Sequence, residues 1–410
     1  MKTSNEEWQA TGKQNANIYF ALFVVGGLAG LLQMSSPVKF GLGFEMVALG
    51  RNLAETGSYA NPFLVLNTGP TAANPPVYPV FLALLTKVLR STDPVVLAAT
   101  VSSMVANAFT ASWLPRVSGV FYGDIKPGIV AAILWLASAQ LMPSWDASFT
   151  VAGLLLFCLL SAHLRTRKGV VPAVVTGAIA GLLFGLNPSS LLITLPWIAY
   201  LMLSRRVLWR QTAVVLATLF LLMFLWAARN YAQLGAFVVR TNLGMTLYSS
   251  DNDCAQPSMI ADEANNCFQS HHPNMSLSEA QLLLKVGEVT YDRKRTADAE
   301  TWIKTHPERF RQLTLARFRD FWFPPVEESA FKVHVIWAIT ILSIPGLIWM
   351  LFRRERVSVF VLLVLFLYPL MYYVVVSDVR YRYPVLWLSE LPAGYFLWRT
   401  YAYLLVRRQR

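Results

Sequence analysis

Charge is scarce in this sequence. Asp, Glu, Lys and Arg together make 14% of its 410 residues, where an ordinary soluble domain carries about 25%. That shortage excludes a disordered chain and a nucleic-acid-binding tail, and argues against a soluble enzyme. Cysteine is scarcer still: three residues are too few for a disulfide-built scaffold. There is no Gly-rich phosphate loop, no heptad run and no fixed-period repeat. A solenoid or an inverted-repeat transporter therefore lacks its signature.

What fills the chain is apolar. Hydrophobic residues reach 55%, with 13 Trp, 16 Tyr and 24 Phe, the composition of a protein with much lipid–water interface to occupy. A helix crossing about 30 Å of hydrocarbon needs about 20 apolar residues, fewer inside a bundle. Ten runs qualify: Ile18–Met34, Val95–Leu114, Gly128–Met142, Phe149–Leu164, Val170–Leu186, Ser189–Leu203, Thr212–Ala228, Val333–Phe352, Val357–Val376 and Val385–Val406. The fifth and sixth meet at Asn187-Pro188 as a tight hairpin. The expected fold is all-α: a polytopic membrane protein of ten spans, give or take one, with helical loops on its outer face. The first run exceeds a typical signal-peptide core and no small-x-small site follows it before Pro37, so it reads as a retained anchor.

Lys and Arg set the orientation. One side carries Lys2, Lys13, Arg116, Lys126, Arg165, Arg167, Lys168, Arg205, Arg206, Arg210, Arg353, Arg354, Arg356, Arg407, Arg408 and Arg410. The opposite short loops, 143–147 and 187–188, carry none. Both termini are expected in the cytoplasm, and the net charge of +12 is largely this asymmetry, with no nucleic acid implied. The chain divides into an N-terminal membrane module (1–229) with a first outer loop (35–94), a large outer loop (230–332), and a C-terminal three-helix segment (333–410).

Within the first outer loop, Phe44–Glu55 reads as helical. Val80–Arg90 reads as a helix lying flat on the membrane or as a buried core helix. In the second, Ser276-x-x-Glu279 and Thr305-x-x-Glu308 fit capping boxes and predict helices over Leu277–Lys304 and His306–Phe321. The latter interleaves Phe310, Leu313, Phe318, Phe321 and Trp322 with Arg309, Arg311, Arg317 and Arg319. That is either a basic surface for lipid phosphates or a solvated face over a small core. Cys254 and Cys267 share this loop, where disulfides form, and are expected to pair while Cys158 packs mid-span. His271-His272 has no third metal ligand at suitable spacing.

Charges at the outer boundary are few and informative. Glu45 follows the first span, Asp146 sits in the loop Ser144–Ala147, Arg229 ends the seventh span, and Asp378, Arg380 and Arg382 occupy a loop with Tyr381 and Tyr383. Arginine's planar fork matches phosphate, and a carboxylate near low dielectric gains proton affinity suited to a general base. Each side chain alone also fits an interfacial anchor. Arg380 and Arg382, however, run against the positive-inside bias.

Five segments in this order resemble the membrane-embedded glycosyltransferases of the GT-C class, in particular the bacterial family 39 group related to protein O-mannosyltransferases and the lipid A aminoarabinose transferase. They are Gly43-Phe44-Glu45 with Ala48–Ala54 and Gly57-Ser58-Tyr59; Pro75–Pro79; Ser144-Trp145-Asp146; Trp226–Tyr231; and Asp378–Pro384. The resemblance implies transfer of a sugar from a polyprenyl-phosphate donor to a glycan, lipid or protein acceptor on the outer face of a bacterial inner membrane. It places Glu45 as the base, Asp146 as a second acid of the site, and Arg229, Arg380 and Arg382 as candidates for the donor phosphate, with Asp378 and Tyr381 in support. Many relatives carry Asp, or an Asp-Glu pair, where this chain has Glu45 after Phe44. In-line displacement would invert the anomeric centre. A divalent metal between Asp146 and the phosphate fits the chemistry, although no ligand spacing calls for one. A transporter or flippase, a surface-polysaccharide polymerase or ligase, and an inactive binder of lipid-linked sugars are the competing readings.

Overall fold

The computed structural model describes residues 3–34, 44–167, 169–326 and 329–408. Residues 35–43, which open the first outer loop and include Gly43, lie outside these, as do Lys2, Lys168 and Arg410. Eighteen α-helices follow in order: α1 Thr3–Met34, α2 Glu45–Thr56, α3 Val77–Leu89, α4 Thr92–Tyr122, α5 Lys126–Ser138, α6 Ala147–Ala162, α7 Val171–Leu186, α8 Leu191–Leu203, α9 Trp209–Leu234, α10 Leu243–Ser250, α11 Met259–Ala264, α12 Cys267–His271, α13 Leu277–Val286, α14 Glu288–Thr305, α15 Pro307–Trp322, α16 Ala330–Phe352, α17 Val357–Tyr373 and α18 Tyr383–Arg408. Among the described residues there is no strand, only two isolated bridges.

All ten apolar runs fall on helices: α1, α4 to α9 and α16 to α18. Four stretches, Asn15–Met34, Thr92–Tyr122, Trp209–Leu234 and Ala330–Phe352, are long and apolar enough to cross a membrane by themselves. The shorter α5 to α8 and α17 bury large side chains against neighbours, with Trp135, Phe157 and Trp197 completely enclosed. Small residues let these helices touch. A Cβ on Gly346 would come within 2.0 Å of the Pro392 carbonyl, so α16 and α18 meet backbone to backbone.

Outside the bundle, α2 packs on α3 through Met46, Val47, Tyr78 and Leu82. The opposite face of α3 shows Val80, Leu84 and Val88. The helix is thus packed on one side and apolar on the other. The expected single helix over Leu277–Lys304 is two: Gly287, at φ +82°, ends α13 and starts α14, a left-handed turn that favours glycine. Ser276 caps α13 as expected, accepting from the Glu279 backbone N–H at 3.4 Å. Thr305 does not cap α15. Its hydroxyl bonds back to the Thr301 carbonyl, and His306 takes the cap position. Nor is α15 uniformly a basic surface. Arg317 is fully buried in an ion pair with Asp251 at 2.8 Å, while Arg311 and Arg319 stay exposed beside Glu308 and Asp320.

Candidate active site

Glu45 is the first residue of α2. Phe44 caps this helix with extended backbone, and its ring meets Trp145 at 5.1 Å. The Pro143–Asp146 loop turns tightly, with the Trp145 N–H donating to the Met142 carbonyl, and is pinned from α3 by the Tyr78 hydroxyl on the Pro143 carbonyl at 2.5 Å. Asp146 then begins α6, accepting the Thr150 hydroxyl at 2.8 Å. Burial raises the proton affinity of both carboxyls. For Glu45, its own backbone N–H and then Arg380 and Arg240 pull the other way. For Asp146, Thr150, its own backbone N–H, Arg380 and Asn187 do so.

Arg380 is the common partner. Asp378 shapes its turn by accepting the Arg380 backbone N–H at 2.9 Å and pairing with Nε at 3.3 Å. The guanidinium sits over Trp145, 3.7 Å from the ring centroid. Burial disfavours its charge, but Asp378, Tyr381 and Glu45 outweigh that and hold the proton more tightly than usual. Tyr381 stacks on Tyr372 at 4.8 Å, Tyr372 meets the Ser189 hydroxyl at 3.0 Å, and Ser189 donates to Asn187 at 2.5 Å. Asn187 in turn favours the ionised form of Asp146. A polar chain therefore runs from Asp146 through the α7–α8 hairpin and the end of α17 to the Arg380 loop.

The structure thus brings together Glu45, Asp146, Asp378, Arg380 and Tyr381. It adds Arg240, His272, Asn187 and Tyr372, which lie outside the sequence-based set. Arg240 donates its Nε–H to the Ala73 carbonyl at 2.8 Å. The residue is exposed, and surrounding protein depresses its proton affinity against the pull of Tyr372, Tyr381 and then Asp146. Arg240 carried the same signal as Arg380, a cation in an outer loop. His272 and Asn187 carried none.

Arg229 and Arg382 serve other ends. Arg229 donates to the carbonyls of Thr71 and Tyr59 at 2.6 and 2.8 Å, tying the first outer loop to α9. Arg382 is enclosed in the bundle, over Trp322 at 4.1 Å, and donates to Thr340 and Ser389. Tyr373 and then Glu390 favour its charge; Glu390 is a completely buried carboxyl within α18 that accepts from Ser138 at 3.1 Å. An ionisable group thus lies inside the tenth apolar run.

Cys254 and Cys267 form a disulfide. With His271 they are the one trio of metal-ligating residues within 4.8 Å among the described residues, and the sulfurs are already bonded to each other. Around Glu45 and Asp146 the nearby cations are Arg380 and Arg240, and Asp146 is committed to Thr150 and Asn187. These residues do not by themselves make a cation site, and no step below runs through a metal.

No family model and no curated protein matches this chain. Solved structures do. The archaeal oligosaccharyltransferase AglB from Archaeoglobus fulgidus, in complex with an inhibitory peptide and a dolichol-phosphate, aligns with a TM-score of 0.50 at 12% identity over 96% of this chain and 51% of that one. A second Archaeoglobus fulgidus oligosaccharyltransferase structure, a complex with Zn and sulfate, aligns at 0.51 and 13% identity over 94% of this chain and 50% of that one. The chain spans about half the length of these proteins. At such identity the likeness is one of fold: an integral membrane protein with a GT-C-type architecture.

Proposed function

We propose that the chain is a glycosyltransferase that moves a sugar, hexose or pentose, from a polyprenyl-phosphate donor to an acceptor at the outer face of a bacterial inner membrane. The observation that carries this reading is the convergence of Glu45, Asp146, Arg380 and Arg240 from four separate segments. Arg380 and Arg240 bind the donor phosphate and stabilise the charge that gathers on it as the anomeric bond breaks. Glu45 takes the acceptor's proton as its oxygen attacks the opposite face of the sugar, inverting the centre. Asp146 holds the site in shape through Thr150 and Asn187. The oligosaccharyltransferase neighbour solved with dolichol-phosphate supports the donor class. A transporter reading draws on Glu390, but that carboxylate is completely buried beside Arg382.

The test is transfer from a panel of polyprenyl-phosphate sugars in reconstituted vesicles. Parent protein turns over at least one of them, and folded Glu45→Gln loses about 10²–10⁴-fold in rate. Parental turnover in Glu45→Gln removes Glu45 from the mechanism.

A further inference from the structure

Besides Arg240, the large outer loop reaches the site through His272. His272 follows α12, the helix that starts at the disulfide partner Cys267. Its ring stacks on Phe268 at 4.5 Å and meets the edge of Phe63. The Asn274 backbone N–H donates to Nδ1 at 3.2 Å, so in the neutral ring the proton lies on Nε2. Nε2 faces Glu45 Oε1 at 3.9 Å. Burial, and then Arg380, hold the imidazole down to about 3, so it stays neutral throughout the working range. The same loop also grips the other side of the site. Ser377, next to Asp378, exchanges backbone bonds of 2.8 Å with Pro257 and Met259.

We propose that His272 is a positioning residue for Glu45: its Nε2–H, delivered by the disulfide-closed loop, aims the carboxylate at the incoming acceptor. The proposal rests on Glu45 being the base. The separation exceeds a hydrogen bond, and catalytic hydrogen bonds commonly tighten only when substrate is bound. A neutral donor has a specific advantage here. An imidazolium would form an ion pair and strip the carboxylate of basicity, whereas an N–H orients it and leaves it able to take a proton. The charged groups facing Glu45 are Arg380 and Arg240, and His272 supplies an uncharged donor beside them.

Infrared titration with a polyprenyl phosphate bound tests this without a transferable sugar. The Glu45 carboxyl band is the one lost in Glu45→Gln. His272→Phe keeps the stacked ring but removes the donor, and His272→Gln keeps an N–H. The band's midpoint should rise by roughly one pH unit in His272→Phe, because a donor favouring the ionised form is gone. It should stay near the parent's in His272→Gln. With a polyprenyl-phosphate sugar that the parent uses, His272→Phe should lose about tenfold in kcat, with donor KM unchanged and partial recovery in His272→Gln. A parental midpoint in His272→Phe, or an equal rise in both variants, overturns the proposal. If the parent transfers no sugar, the proposed function fails, while the infrared result still decides whether His272 acts on Glu45.

Discussion

Arg380 sits over Trp145 with its guanidinium carbon 3.7 Å from the indole centroid, joining the loop before α18 to the loop before α6. Both segments flank the candidate site, so this contact fixes where the guanidinium stands relative to Asp146. A cation–π contact of this kind contributes about 0.5–2 kcal/mol. The Phe44 ring on Trp145 extends the register to the residue before Glu45.

Arg380→Ala should weaken binding of a polyprenyl-phosphate sugar by roughly tenfold to a hundredfold, the loss of a charged hydrogen bond. Arg380→Lys should recover only part of this, since an ammonium lacks the fork. Trp145→Leu should cost about fivefold by misplacing the cation, in line with about 1 kcal/mol. Equilibrium binding to detergent-solubilised protein measures all three. Parental affinity in Arg380→Ala would move the phosphate site elsewhere.

The pH dependence has a definite sign. Burial raises the proton affinity of Glu45 despite Arg380 and Arg240, and a base acts only when ionised. Transfer should therefore fall on acidification along a limb lying above the ordinary glutamate value of about 4.3. Arg380→Gln removes a neighbour that favours the carboxylate, so the limb should move further up. Rates of kcat/KM against pH for the two proteins check both directions. A limb that moves down in Arg380→Gln contradicts the electrostatic account.

The ten apolar helices were legible because hydropathy reads the solvent directly, and bilayer thickness sets one length scale for α4, α9 and α16 alike. Glu45, Asp146 and Arg380 were legible because charge at the outer boundary is costly and rare. Arg240 was legible by the same rule but lay in a long loop, where single cations are ordinary. His272 was not legible: nothing in its sequence neighbourhood says that the chain folds back onto α2. Arg229 and Arg382 show the limit of the rule. A guanidinium can equally be spent on the carbonyls of Tyr59 and Thr71, or on a buried carboxylate such as Glu390.

The Arg382–Glu390 pair should be a stability element. Arg382 Nε and Nη1 and Glu390 Oε2 make no hydrogen bond among the described residues, and the two groups act on each other electrostatically inside the bundle. Removing one partner of a buried pair typically costs about 3–5 kcal/mol, while neutralising both is far less damaging. Arg382→Met should lower the thermal unfolding temperature sharply, and Arg382→Met with Glu390→Gln should recover most of it. Donor affinity in the double variant should remain near parental. A hundredfold loss there would instead assign Arg382 to the phosphate.

Topology supplies the remaining test, because the proposed transfer from a lipid-linked sugar requires the site on the outer face. The basic cluster near Arg165 and Arg205 and the loop holding the disulfide belong on opposite sides of the membrane, by the bias of Lys and Arg toward the cytoplasm. Thr166 and Thr301 are both exposed in the structure, and the native cysteines do not interfere, since Cys158 is buried and the other two are paired. In intact cells a membrane-impermeant maleimide should label Thr301→Cys and leave Thr166→Cys unmodified until the membrane is opened. Oxidising conditions outside the cytoplasm are also what the Cys254–Cys267 bond requires, so the labelling and the disulfide depend on the same orientation. The reverse pattern would put Glu45 and Arg380 on the cytoplasmic face, where the proposed outer-face donor is out of reach.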